Sequence, residues 1–108
     1  RVIKIEQPKT IADGLAVTSP GTNTFAINRE LVDRIETVSE RQIISAMKTL
    51  HETLGLVIEP SGAVGLAVLL AEPEQAPSTG QDLSRRVGVI LSGGNVDPAY
   101  HRQLIESL

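Results

Sequence analysis

Arg85-Arg86-Val87-Gly88-Val89-Ile90-Leu91-Ser92-Gly93-Gly94-Asn95 is the stretch on which the reading of this chain turns. It passes from two arginines through a short, largely β-branched apolar run into a Ser-Gly-Gly-Asn turn. A helix-like tail, Asp97 to Leu108, follows at once. A buried strand that feeds a glycine-rich turn before a helix is where open α/β sheets place their ligands. Glycines let the backbone turn sharply and let a ligand approach the main chain with no Cβ in the way. The stretch is therefore expected to form a strand and the floor of a binding site. Successive backbone N–H groups from Ser92 to Asn95 would offer a nest for an anion or a polar ring.

Just upstream, Pro60 suits the first turn of a helix that continues from Ser61 to Leu70. Gly62, Ala63, Gly65 and Ala67 keep one side of it very small. Each glycine costs about 1 kcal/mol against alanine in a helix interior, so another backbone is expected to pass close by. Glu59 stands at the cap position, where its carboxylate either complements the helix dipole or points into a site. The clearest helix begins at Ser39, where Gln42 three residues on makes a capping box. It carries a stripe of Ile43, Met47, Leu50 and Leu54, widened by Ile44 and Ala46, and stops at Gly55. His51 reads as a surface or partly packed residue favoured by the helix C-terminus.

Nearer the N-terminus, Val2–Ile5 reads as a strand stopped by Gln7-Pro8, and Asp13-Gly14 as a turn. Thr18–Asn23 reads as a loop around Pro20-Gly21. Asn28 is expected to cap a short helix through Asp33 with Leu31 and Val32 inward, and Arg34–Val38 to be a half-buried strand. Glu72–Asp82 is a polar, proline-rich surface connection. In the last helix, Tyr100, Leu104, Ile105 and Leu108 supply the apolar side and His101 is expected to face solvent. Helices alternating with short apolar runs predict an α/β fold, with an open, mostly parallel sheet and flanking helices.

Composition narrows the function. With 41% hydrophobic residues, 21% charged and a net charge of −3 in 108 residues, the chain is one domain or part of one. Aromatics are 2%, so there is no stacking platform for single strands, and the acidity gives no basic footprint; nucleic acid is not an expected partner. The absence of cysteine removes disulfides and thiolate zinc sites. The longest apolar run, Ala63–Ala71, falls well short of the roughly 20 residues of a membrane span, so a soluble, cytoplasmic protein with no membrane partner is expected. The opening lacks an initiator Met, which suggests a fragment or a processed chain. Ser92 as a hydrolase nucleophile lacks both its Gly-x-Ser-x-Gly setting and an obvious histidine partner.

Four stretches, in order and spacing, carry a resemblance: Thr10-Ile11-Ala12-Asp13-Gly14, then Val32-Asp33 with Val38-Ser39-Glu40, then Ile58-Glu59-Pro60-Ser61-Gly62-Ala63-Val64-Gly65, then Leu91-Ser92-Gly93-Gly94-Asn95-Val96-Asp97. Together they make nearly the whole chain similar to the threonine/serine dehydratases, pyridoxal-phosphate enzymes of the tryptophan-synthase-β-like fold, to which serine racemases also belong. The resemblance implies that residues 1–108 are the C-terminal segment of the catalytic domain, from the large domain of a fold-type II enzyme. It implies that Ser92 hydrogen-bonds the pyridine nitrogen of pyridoxal 5'-phosphate and that Gly14 gives the ring close access. It also places Glu59 near ring and substrate, and Gly93 in the cofactor turn.

The Schiff-base lysine, the phosphate loop and the metal-binding carboxylates of such enzymes belong upstream. None of Lys4, Lys9 and Lys48 stands in a matching motif, so no catalytic residue and no metal ligand is assigned here, and this segment alone is expected to be inactive. The activity implied is dehydration of L-threonine or L-serine to a 2-oxo acid and ammonia. It would need an amino-acid substrate and the N-terminal part of the enzyme, within a homo-oligomer. A serine racemase-like enzyme and a non-catalytic α/β binding or assembly module are the alternatives.

Overall fold

The computed structural model describes residues 1–71 and 86–108. A single 3₁₀ turn, Asp13–Leu15, is followed among them by α1 (Thr22–Leu31), α2 (Glu40–Leu54), α3 (Pro60–Leu70) and α4 (Pro98–Glu106). The connection expected over Glu72–Asp82, and Arg85, lie outside the described residues.

The core forms where α2 meets α3. The Ser39 hydroxyl accepts from the Gln42 N–H at 3.3 Å while the Gln42 side-chain oxygen accepts from the Ser39 N–H at 2.7 Å, which is the reciprocal box its sequence announces. Gly55 ends α2 at φ 65°, a left-handed conformation that costs glycine nothing and other residues more. Between these ends Ile43, Ala46, Met47 and Leu50 turn inward, with Met47 wholly buried. Leu54, expected in the same stripe, is 64% exposed. Ala63 and Ala67, one turn apart on α3, are fully buried in the same cluster. Their methyl-sized side chains let the two helices approach.

The small residues of α3 serve a second neighbour as well. A Cβ on Gly62 would overlap the Ser92 backbone carbonyl, and one on Gly65 would stand 3.2 Å from Val89 Cγ1. The close backbone that the glycines of α3 predict is thus the 89–92 stretch, drawn across the helix.

The remaining expectations are corrected by packing. Residues 2–5, 34–38 and 87–91, expected as strands, form none among the described residues, so the expected parallel sheet is not seen there. A strand needs a partner to satisfy its ladder, and apolar alternation predicts extension without supplying that neighbour. Val87 is accordingly 64% and Ile90 87% exposed. Thr18–Asn23 is not wholly loop: α1 starts at Thr22, capped by Gly21, and Asn28 lies in its interior. The Phe25 N–H donates to the Gly21 carbonyl at 2.8 Å, so the turn at Pro20-Gly21 leads straight into the helix. Leu31 and Val32 are exposed rather than inward, since α1 packs against no other described element.

The last helix is rotated from expectation. Its buried face is His101, Leu104 and Ile105, at helical spacing, while Tyr100 and Leu108 are exposed. His101, expected in solvent, is 2% exposed.

Candidate functional site

A cleft of about 550 Å³ opens where three separated pieces of chain converge. One wall is the Thr10–Gly14 turn, through Thr10, Ile11, Asp13 and Gly14. A second is the start of α3, through Glu59 and Pro60. The third runs from the end of the glycine loop into α4, through Asn95, Val96, Asp97 and Tyr100.

The first two walls are held by bonds that reach across the sequence. The Gly14 N–H donates to the Ser61 hydroxyl at 2.9 Å, over 47 residues, and also to the Asp13 carboxylate at 2.8 Å. A Cβ on Gly14 would lie 2.9 Å from that hydroxyl and 3.2 Å from the Ser61 Cβ, so a larger residue there would push the Ser61 side chain aside. The Ile11 N–H donates to the Glu40 carboxylate at 3.0 Å, which ties the same wall to the first turn of α2. On the opposite side the Glu59 N–H donates to the Gly93 carbonyl at 3.0 Å. Gly93 adopts φ 76°, and a Cβ there would press into the Glu59 side chain, 2.7 Å from its Cγ. In α4, the Asp97 carboxylate caps the helix by accepting from the Tyr100 N–H at 2.9 Å.

The residues singled out from sequence therefore divide. Gly14 and Glu59 face the cleft. Ser92 and Gly93 do not line it; they form the adjoining turn, clamped between Gly62 and Glu59. The Ser92 side chain is exposed, and its hydroxyl has no hydrogen-bond partner among the described residues. Glu59 makes no side-chain cap bond to α3; it lines the cleft, and its carboxylate end packs over Gly93. The sequence reading missed Ser61, Glu40, Asp97 and Tyr100. Asp97 was legible in principle, since Asp before Pro98 and three residues ahead of Tyr100 is a cap signature. Ser61 and Glu40 were not, because their partners lie tens of residues away.

Three acids, Asp13, Glu59 and Asp97, are among the lining residues, and the carboxylates of Asp13 and Asp97 already accept backbone N–H groups. No three metal-binding side chains come together among the described residues, and no helix there is long and apolar enough to cross a membrane.

The chain is similar to known proteins. Residues 1–93 match the family described as pyridoxal-phosphate dependent enzyme. The L-threo-3-hydroxyaspartate ammonia-lyase of Saccharomyces cerevisiae is 41% identical over 104 residues, which are 96% of this chain and 30% of that protein. The L-threonine ammonia-lyase of Geobacter sulfurreducens is 41% identical over 97 residues, 90% of this chain and 23% of that protein. The structure of maize serine racemase superposes with a TM-score of 0.81 at 37% identity, over 99% of this chain and 33% of that one. The chain thus spans about a third or less of the length of the relatives it matches.

Proposed function

This chain belongs to the pyridoxal-phosphate dependent enzymes, and we propose that it forms part of an ammonia-lyase that dehydrates L-threonine or L-serine to a 2-oxo acid and ammonia. The observation that supports this best is the Ser92–Gly93 turn: an exposed, unpartnered hydroxyl on a backbone fixed from both sides by Gly62 and Glu59. That turn suits a flat heteroaromatic ring, since its hydroxyl offers a donor to a ring nitrogen.

When bound, pyridoxal phosphate supplies the electron sink that weakens bonds at the substrate α-carbon. The Ser92 hydroxyl would donate to the ring nitrogen. It can serve a neutral acceptor nitrogen, but unlike a carboxylate it cannot hold a cationic one. A nitrogen kept neutral by Ser92 would leave the ring a weaker electron sink and so would favour loss of a β-hydroxyl over transamination. Gly14, held to Ser61, would bring its turn beside the ring, and Gly93 sets the turn that carries Ser92. Glu59, packed on Gly93 and facing the cleft, places its negative charge near the substrate end. The catalytic lysine and the phosphate contacts come, in this reading, from the portion of the enzyme outside this chain, so these 108 residues alone release no 2-oxo acid.

The likeness to maize serine racemase supports a second reading, interconversion of serine enantiomers on the same scaffold. Both are tested on the full-length protein. Visible absorbance should report the cofactor, L-threonine or L-serine should yield a 2-oxo acid, and chiral analysis of recovered serine separates lyase from racemase. Ser92→Asp should leave the cofactor bound, shift its absorbance, and slow elimination at least about tenfold, equivalent to about 1.4 kcal/mol. Unchanged turnover and an unchanged spectrum in Ser92→Asp would refute the role given to Ser92.

A further inference from the structure

We propose that His101 and His51 form a pH-sensitive latch that holds α4 against α2 and thereby sets the position of one wall of the cleft. His101 is 2% exposed, and its Nε2 is buried with no hydrogen-bond partner among the described residues. The His51 ring meets it edge-on, centroids 5.4 Å apart and planes at 64°. His51 itself is exposed, in the last turn of α2. Among the described helices α4 packs on α2 alone, through the face that carries His101, Leu104 and Ile105. The same helix brings its cap Asp97 and its first-turn Tyr100 to the cleft. Whatever loosens His101 from α2 therefore also moves Asp97 and Tyr100.

The chemistry sets the direction. A neutral imidazole is tolerated in this interface, but an imidazolium there has lost its water and gained no partner. Of the charged groups on α2, His51 faces His101, while Glu40, Arg41, Lys48 and Glu52 make no bond to it; nor do Arg102 and Glu106 on α4 itself. Burial, and after it the nearby charge of His51, holds His101 below the ordinary histidine value of 6.5. The docked state thus binds fewer protons than the undocked one. Docking is at full strength above the ordinary value and is lost as the pH falls below it toward the lower docked value. A histidine that stays neutral while docked weakens docking by up to about 30-fold at about pH 5.

Amide hydrogen exchange on the full-length protein tests this, compared at about pH 7.5 and about pH 5 after correction for intrinsic exchange rates. Peptides covering residues 98–106 should lose several-fold to about 30-fold protection at the lower pH, while residues 40–50 change little. His101→Leu, similar in size and unable to titrate, should abolish that loss, and His51→Gln should reduce it. Equal corrected protection of α4 at both pH values in the wild type, or a wild-type loss retained by His101→Leu, overturns the latch. Should His101→Leu fail to fold, titration of the wild-type histidine resonances decides, with an ordinary value for His101 refuting the latch and a lowered one supporting it.

Discussion

Exchanging single hydrogens for methyl groups on α3 separates a glycine that is required from one that is not. A Cβ added at Gly62 meets the Ser92 carbonyl oxygen head-on, with the carbonyl carbon at 2.8 Å and Ile58 Cγ2 at 2.9 Å. Two of those three atoms are backbone, so no rotamer change relieves the overlap and the Ser92–Gly93 turn itself must move. Overpacking of this kind costs on the order of 3 kcal/mol, at the upper end of its usual range. The better helix propensity of alanine returns about 1 kcal/mol, which leaves Gly62→Ala destabilised by about 2 kcal/mol. Gly65 lies on an exposed part of the same helix. Its nearest neighbour is the movable Val89 Cγ1 at 3.2 Å, and the Ile90 carbonyl is 3.9 Å away. Gly65→Ala should therefore be neutral or stabilising by up to about 1 kcal/mol. Urea unfolding of the two full-length variants should differ by about 2–3 kcal/mol, with Gly62→Ala below the wild type and Gly65→Ala at or above it. Because Gly62→Ala displaces Ser92, it should also weaken cofactor retention, read as loss of visible absorbance on dialysis, and Gly65→Ala should not. Two variants of equal stability, or a stabilised Gly62→Ala, would refute the claim that this loop rests on α3.

Gly93→Ala combines a left-handed φ of 76° with a collision against Glu59, so it should cost about 1–2 kcal/mol for the backbone alone and push Glu59 out of the cleft. The checks are urea denaturation and the Michaelis constant for threonine. Ser39→Ala removes the hydroxyl half of the α2 capping box and should cost about 1 kcal/mol, with Ser39→Asp restoring most of it in the same unfolding measurement.

What could be read from the residues, and what could not, follows from how far each interaction reaches. Ser39 with Gln42, the stop at Gly55 and Pro60 at the head of α3 are settled within one helical turn, and each stands where the sequence places it. The small face of α3 announced a close backbone but not which one; only the fold names the Ser92 carbonyl and Val89. Val2–Ile5, Arg34–Val38 and Val87–Leu91 were legible as apolar alternation, yet pairing belongs to neighbours; among the described residues none becomes a strand, and Ile5 makes a single backbone bond, to the Thr18 carbonyl. His101 marks the same boundary from the other side. By type and position it belongs in solvent, and only the packing of α4 on α2 buries it against His51.

The sequence by itself determined the helix boundaries set by local caps, the glycine turns at Gly14 and Gly93, and the motif order that marks the family, because these depend on contacts a few residues apart or on residue type alone. The tertiary structure alone decided that Ser61 holds Gly14, that Glu40 holds Ile11, and that Asp97 and Tyr100 complete the cleft. The first two bonds close across 47 and 29 residues, and spacing along a chain carries no information about which distant groups will meet once the core has formed.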